Sequence, residues 1–237
     1  MSTHNSAVRL VITIDGPAAS GKSSTAKRVA AQLGLRHLDS GALYRAATAA
    51  QLRRGVAITE WTEASVLEAA RGVTLVPVDR SFELAIGGTA VDAEIRAADV
   101  TRHVSQVAQM PGVRAWVNRL VRESADQHDI VVDGRDMGTA VFPDAPVKVF
   151  LVADTWERAR RRIHQQRRGD HRDKASTPTD AEIAEEADQL ARRDGQDATQ
   201  SARARDAILI DTTYITQDEQ VDRIVALAEA ARHRLSR

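Results

Sequence analysis

The sequence predicts an α/β fold of three layers, with helices on both faces of a central five-stranded parallel sheet. Three observations carry that expectation. Short apolar runs recur at Val8 to Ile14, just before Asp39, at Ile130 to Val132, at Val147 to Val152 and at Ala207 to Ile210. They have the near-continuous hydrophobicity of strands buried on both faces of a parallel sheet. The material between runs is long enough for crossover helices. The first run also ends in a glycine loop that opens directly into a helical pattern.

That first unit is the clearest. From Ser23 to Leu33 the residues are helix formers, with Ala26, Val29, Ala30 and Leu33 at helical spacing, and Gly34 stands where a C-cap glycine belongs. The second unit is a short apolar strand ending at Asp39, followed by a helix. From about Glu60 to Val100 the rhythm breaks. This stretch has its own helical pattern, the alternation Phe82-Glu83-Leu84-Ala85-Ile86 and a Gly87-Gly88 turn signal. Residues 61–100 are therefore expected to form an inserted subdomain, with residues 1–60 and 101–237 as the core. From Arg158 to Arg172 the chain is densely basic, and from Asp180 to Asp188 it is acidic. Taken alone, that pattern reads as a solvated helical hairpin laced with ion pairs.

The composition narrows the class. Of 237 residues 43% are apolar with few aromatics, so Val, Ile, Leu and Ala must build the core. The 33 basic and 33 acidic side chains cancel, which argues against a nucleic-acid surface. There is no cysteine, which excludes disulfides and thiolate metal sites. The segment MSTHNSAVRL lacks the features of a secretory leader, and the run Val147 to Ala153 is too short to span a bilayer. A cytoplasmic monomer with no membrane or nucleic-acid partner is expected. The seven histidines show no metal-ligand spacing.

Gly16-Pro17-Ala18-Ala19-Ser20-Gly21-Lys22-Ser23 fits G-x-x-x-x-G-K-[ST] and lies between a strand and a helix, the context that a phosphate-binding P-loop requires. Its glycines let backbone N–H groups surround an anion at the helix N-terminus. Lys22 is expected to reach the β- and γ-phosphates of ATP. Ser23 or Ser24 is expected to hold Mg²⁺, the spacing leaving the choice open. Asp39-Ser40-Gly41-Ala42-Leu43-Tyr44-Arg45 brings a hydroxyl, helix N–H groups and an arginine to one spot, which suits a second anion; Ser40 as a plain N-cap is the alternative. Asp133-Gly134-Arg135-Asp136-Met137-Gly138-Thr139 follows a buried strand at the sheet edge where ligands of open α/β folds bind. Arg135 suits bidentate phosphate binding, with Asp133 or Asp136 accepting hydrogen bonds from an acceptor or from metal-bound water.

With these residues the sequence resembles the bacterial cytidylate kinases. The resemblance runs from Val11-Ile12-Thr13-Ile14-Asp15-Gly16-Pro17 to the final helix. It is carried by Asp39-Ser40-Gly41 with Tyr44-Arg45, Ser105-Gln106-Val107-Ala108, Val113-Arg114, and Asp133 through Thr139 followed by Val141-Phe142-Pro143-Asp144-Ala145-Pro146-Val147-Lys148. It implies transfer of phosphate from ATP to CMP or dCMP. It implies that Ser40, Tyr44, Arg45, Ser105, Arg114, Arg135 and Asp136 face the monophosphate, with Arg114 and Asp136 near the cytosine. It further implies that the insert binds the monophosphate, and that the helix carrying Arg161 and Arg162 opens a lid, at about residues 160–200, over ATP. Arg193, Asp194 and Asp197 match the family pattern Arg-Asp-x-x-Asp-x-x-Arg, but Gln200 replaces its last arginine and the Ser-Pro-Leu turn that usually follows is missing. Arg203 or Arg205 would then be the substitute reaching in.

Lys22, Arg135, Arg161 and Arg162 are accordingly the expected catalytic cations, with Arg193 and Asp197 on the acceptor side. Transfer between phosphates needs positioning and charge neutralisation rather than a nucleophilic side chain. A kinase for another monophosphate or for a metabolite alcohol is the nearest rival. A GTP switch would require an Asn-Lys-x-Asp, which is absent, and a nucleic-acid ATPase would want aromatics among the arginines from Arg158.

Overall fold

A computed structural model describes residues 9–169 and 177–235. The first eight residues, read above for a leader, and the end of the basic run at 170–172 lie outside the described residues. The elements in chain order are β1 (Val11–Asp15), α1 (Lys22–Leu33), β2 (Arg36–Asp39), α2 (Ser40–Arg53), α3 (Glu63–Ala70), β3 (Val73–Val78), β4 (Ser81–Ile86), β5 (Thr89–Ala90), α4 (Ala98–Ala108), α5 (Pro111–Gln127), β6 (Ile130–Gly134), β7 (Val147–Val152), α6 (Thr155–Gly169), α7 (Asp180–Asp197), β8 (Ile208–Asp211) and α8 (Gln217–Leu235).

The five apolar runs become five parallel strands in the order β2-β6-β1-β7-β8. Parallel neighbours must be joined through helices, and of these five strands only β7 and β8 are both consecutive in the chain and adjacent in the sheet. The sheet has eight strands rather than five, because the inserted stretch contributes the antiparallel hairpin of β3 and β4, with β5 beside it. β4 docks on β2 through the single pair His37 and Ser81. The alternation from Phe82 to Ile86 is what an edge hairpin with one wet face needs.

Two cores sandwich the sheet. On one face Ile12, Ile14, Val131, Val149 and Leu151 pack against Ala26 and Val29 of α1 and Ile224 and Ala228 of α8. On the other, Leu38, Ile130 and Val132 meet Leu43 of α2 and Val113, Val117 and Val121 of α5; Trp61, Val66, Leu84 and Ile95 of the inserted stretch join this same core. Fully burying one such aliphatic side chain contributes about 1.5–3 kcal/mol, so these two layers hold the sheet rigid beneath its C-terminal edge. A third, small cluster of Ala159, Ile163, Ile183 and Leu190 pins α6 to α7, and Ala18 and Ala19 of the glycine loop pack against it. Among the described residues no helix is long and apolar enough to cross a membrane.

Candidate active site

The P-loop lies between β1 and α1. Gly16 is irreplaceable on geometric grounds, because a Cβ there would stand 2.1 Å from the carbonyl oxygen of Leu151. Gly21 is the N-cap of α1 at φ 93° and provides no side-chain cap. The first N–H groups of α1 thus lack a capping acceptor and are available to an anion. Lys22 Nζ donates to the Pro17 carbonyl (2.7 Å), folding back over the loop. Burial, followed by the charge of Arg135, pushes its pKa down to about 7, against the pull of Asp133, Asp15 and Asp39. The two serines behave differently: Ser23 Oγ donates across to Asp133 Oδ2 (2.5 Å), whereas Ser24 Oγ turns back to its own Gly21 carbonyl (2.9 Å).

Three aspartates stand at or next to the ends of three neighbouring strands. Asp39 and Asp133 sit side by side in the β2–β6 register, and Ile14, beside Asp15 on β1, pairs with Asp133. Asp133 is 2% exposed and is held on both oxygens, since His37 Nε2 donates to Oδ1 (2.7 Å) opposite Ser23. Burial, and then Asp133, raise the pKa of Asp39. Asp39, not Ser40, is the N-cap of α2, accepting from the Ala42 N–H (3.1 Å), while Ser40 Oγ donates to the Asp133 carbonyl (2.8 Å). The alternative of Ser40 as a plain cap therefore fails: its hydroxyl ties α2 to β6. Asp15 accepts from the backbone N–H groups of Met137 (2.9 Å) and Gly138 (2.7 Å) and so anchors the π-helical turn Met137–Val141. Burial nonetheless raises its pKa to about 6.

Ser23 and Asp133 form an all-oxygen pair at the foot of the loop, and the described residues offer no group of three or more His, Cys, Asp or Glu that could hold a metal. That donor set fits Mg²⁺, which takes one or two carboxylates and fills its remaining positions from phosphate and water.

Across the cleft, Tyr44 is buried with its hydroxyl unpartnered, and the guanidinium of Arg114 lies 5.9 Å from its ring centroid. Burial pushes the Tyr44 pKa up to about 12. Arg114 also pairs with Asp136, which is 7% exposed. Ser105, on α4, is half-buried and lines the same cleft. Arg45 donates to the Ile95 carbonyl (3.3 Å) and to Thr101 Oγ1 (2.9 Å), which binds α2 to the inserted stretch. Arg45, Arg162 and Arg193 form a cationic group. Burial and then the charges of Arg193 and Arg162 bring Arg45 down to about 10, and Arg162 is lowered by burial and by Arg193. The buried Nε of Arg193 has no hydrogen-bond partner.

Arg135 spans the two halves, donating to the Gly16 carbonyl (3.0 Å) and pairing with Asp197 (2.9 Å). Arg158, which sequence reasoning passed over, does the same one helix away: it donates to the Ala18 carbonyl (3.2 Å) and to Asp194 (2.6 Å). Its signal was its spacing, one turn before Arg162 on the same face. Arg161 lines the cleft, but its guanidinium is held by Glu157 (2.9 Å) and by the hydroxyl (3.1 Å) and carbonyl (2.6 Å) of Thr212. Arg203 and Arg205 are exposed and do not line the cleft, which corrects the expectation that one of them stands in for the missing arginine. Gln200 itself reaches in, accepting from Arg114 (2.7 Å).

One cleft of about 980 Å³ joins the P-loop side, through Lys22 and Ser23, to the acceptor side, through Tyr44, Arg45, Arg114 and Asp136. It is large enough for two nucleotides. A family model described as cytidylate kinase matches residues 12–230. The cytidylate kinase of Limosilactobacillus fermentum is 40% identical over 92% of this chain and 95% of its own length. That of Thermus thermophilus is 41% identical over 92% and 98%. A solved structure of an uncharacterized protein from Eubacterium ventriosum, 13% identical, covers 94% of this chain and 99% of its own with a TM-score of 0.52, a likeness of fold. Matched along nearly its whole length by sequence, and carrying the family's motif residues around a single cleft, the chain belongs to the cytidylate kinase family of nucleoside monophosphate kinases.

Proposed function

We propose that this chain transfers the γ-phosphate of ATP to CMP or dCMP, giving ADP and CDP or dCDP, across the cleft between the P-loop and α4–α5. The observation that carries the reading is the group of Arg45, Arg162 and Arg193 lining one cleft with the loop, where burial and the neighbouring charge of Arg193 hold Arg45 and Arg162 below their ordinary pKa. Such a group is costly without an anion and favourable with one.

In this reading the ATP polyphosphate lies on residues Gly16 to Ser24, with Lys22 swinging from the Pro17 carbonyl onto the β- and γ-oxygens. Ser23, rather than Ser24, holds Mg²⁺ with Asp133, and the ion, when bound, neutralises charge on those oxygens. The acceptor phosphate meets Arg45, Arg162 and Arg193; Ser40, Tyr44 and Ser105 face its nucleoside, and Arg114 with Asp136 faces the base. Cytosine offers N3 and O2 as acceptors and N4 as a donor, which complements one arginine and one carboxylate. Arg135, between the loop and Asp197, is placed to shift onto the transferring phosphoryl group. Arg161 supports the loop after β8 instead of the phosphates. Because the acceptor phosphate is already an anion, the side chains position and neutralise and none need take a proton. Residues 61–100 supply the acceptor-side wall and α6–α7 the lid, and the enzyme works as a cytoplasmic monomer with nucleotides as its partners.

The test is ADP release from ATP and Mg²⁺ with CMP, dCMP, UMP, AMP, GMP, dTMP or no acceptor, alongside Lys22→Ala. Strong stimulation by CMP and dCMP, lost in the variant, is expected. Equal turnover without acceptor would remove the acceptor assignment and leave the P-loop.

A further inference from the structure

The base-facing arginine is held from three directions by three separate parts of the chain. Arg114 Nη1 donates both to the Ala108 carbonyl at the end of α4 (3.2 Å) and to Gln200 Oε1 (2.7 Å), while Nη2 donates to Asp136 after β6. A guanidinium has five N–H donors. These contacts use three, which leaves the Nε–H and one Nη2–H uncommitted. Those are two donors, the number that a pyrimidine edge with two acceptors requires. Gln200 belongs to the 3₁₀ turn Ala198–Gln200 directly after α7, so this anchor comes from the trailing end of the lid.

We propose that Gln200 is a positioning residue for Arg114, and through it a determinant of how strongly cytosine is preferred over uracil. The inference rests on the assignment of Arg114 and Asp136 to the base. Cytosine and uracil differ at N3 and at position 4, where acceptor and donor exchange places. Discrimination therefore depends on keeping the two free Arg114 donors aimed at an acceptor and the Asp136 carboxylate aimed at a donor. A guanidinium that has lost its Gln200 anchor can rotate about its last bond and present its donors elsewhere. The chemistry of the residue matters in a specific way. An arginine at position 200, which the resemblance led one to expect, has no acceptor and cannot make this contact. A glutamate retains an acceptor at the same reach, and a leucine retains only the volume.

The experiment measures kcat and KM for CMP and for UMP at saturating ATP in the wild type, Gln200→Leu, Gln200→Glu and Arg114→Ala. Gln200→Leu is expected to raise the KM for CMP about tenfold and to lower the CMP-to-UMP ratio of kcat/KM by a similar factor, the effect of losing one hydrogen bond to a charged group. The KM for ATP should stay within about twofold. Gln200→Glu should restore the ratio. Because the ratio is internal to whatever fraction is folded, a loss of stability alone would leave it unmoved. An unchanged ratio in Gln200→Leu, or a Gln200→Glu enzyme that behaves like it, overturns the proposal. If Arg114→Ala leaves the KM for CMP untouched, the base assignment itself has failed, an outcome distinct from failure at Gln200 alone.

Discussion

His37 and Asp133, 96 residues apart in the chain, are neighbours on β2 and β6, and the imidazole Nε2 lies 2.7 Å from the carboxylate oxygen that Ser23 does not use. Ser23 and His37 thus fix both oxygens of Asp133 before any ligand arrives. Partners of this kind set the orientation of a cation-binding carboxylate, and losing one typically costs 10- to 100-fold in metal affinity. His37→Leu is therefore expected to raise the Mg²⁺ concentration for half-maximal rate at least about tenfold, and His37→Gln, which keeps a donor, to stay near the wild type. A Mg²⁺ titration at fixed ATP reads this, and an unchanged midpoint in His37→Leu would exclude the role.

Lys22 makes ATP binding dependent on pH in a known direction. In the empty loop its pKa lies at about 7, below the ordinary lysine value of 10.5, because of burial and Arg135. Polyphosphate should return it toward that ordinary value, so above pH 7 binding takes up a proton and affinity falls by up to about tenfold per pH unit; below pH 7 this dependence vanishes. Calorimetry at pH 8 in buffers of different ionisation enthalpy should report uptake of about one proton in the wild type and none in Lys22→Met. Equal uptake in both would locate the proton elsewhere.

Arg158 and Asp194 join the P-loop to α7 in a mostly dry environment, their side chains being 7% and 26% exposed. Removing either partner strands the other. Arg158→Ala and Asp194→Ala should each destabilise the protein by about 2–3 kcal/mol, less than a wholly buried pair because Asp194 keeps some water. The double variant should cost clearly less than the sum of the two. Strict additivity in chemical denaturation would show that the two do not interact.

Gly134 is packed without room for a side chain: a Cβ would stand 2.6 Å from Ser40 Oγ and 2.7 Å from Met137 Cγ. Gly134→Ala should therefore displace Ser40 from the Asp133 carbonyl, lowering stability by about 1–3 kcal/mol and the CMP-dependent rate with it. A variant of normal stability and rate would mean that α2 yields more easily than its packing suggests.

What the chain disclosed in advance was whatever is local. The P-loop could be read because its loop, strand and helix are contiguous, and the five parallel strands because each is a short apolar run. The hairpin around Gly87-Gly88 was also visible, but not its attachment to β2, which depends on one cross-strand pair. The different behaviour of Ser23 and Ser24 depends on Asp133, 110 residues away from Ser23 in the chain. His37 gave no periodic or motif signal, since its partner is supplied by strand order alone. Arg161 shows the converse: one basic run supplies arginines to different faces of α6, and only the packing of that helix sets the Arg161 guanidinium against Thr212.

The end of β6 places Asp133, Arg135 and Asp136 within four consecutive residues, on a strand that lies between β2 and β1 with a rigid core on either face. The cation ligand, the bridge between substrates and the base contact that we propose are thus spaced by covalent geometry, as marks on a ruler. Under that proposal, opening of α6 and α7 would change how often a transfer is attempted and how much water is present, but the aim of each attempt is built into the backbone. Variants in the body of α6 and α7 should accordingly show up as changes in frequency and in wasted ATP, while changes in which molecule is phosphorylated should trace back to the residues at this strand end and to those that hold them, Arg114 and its anchor Gln200 among them.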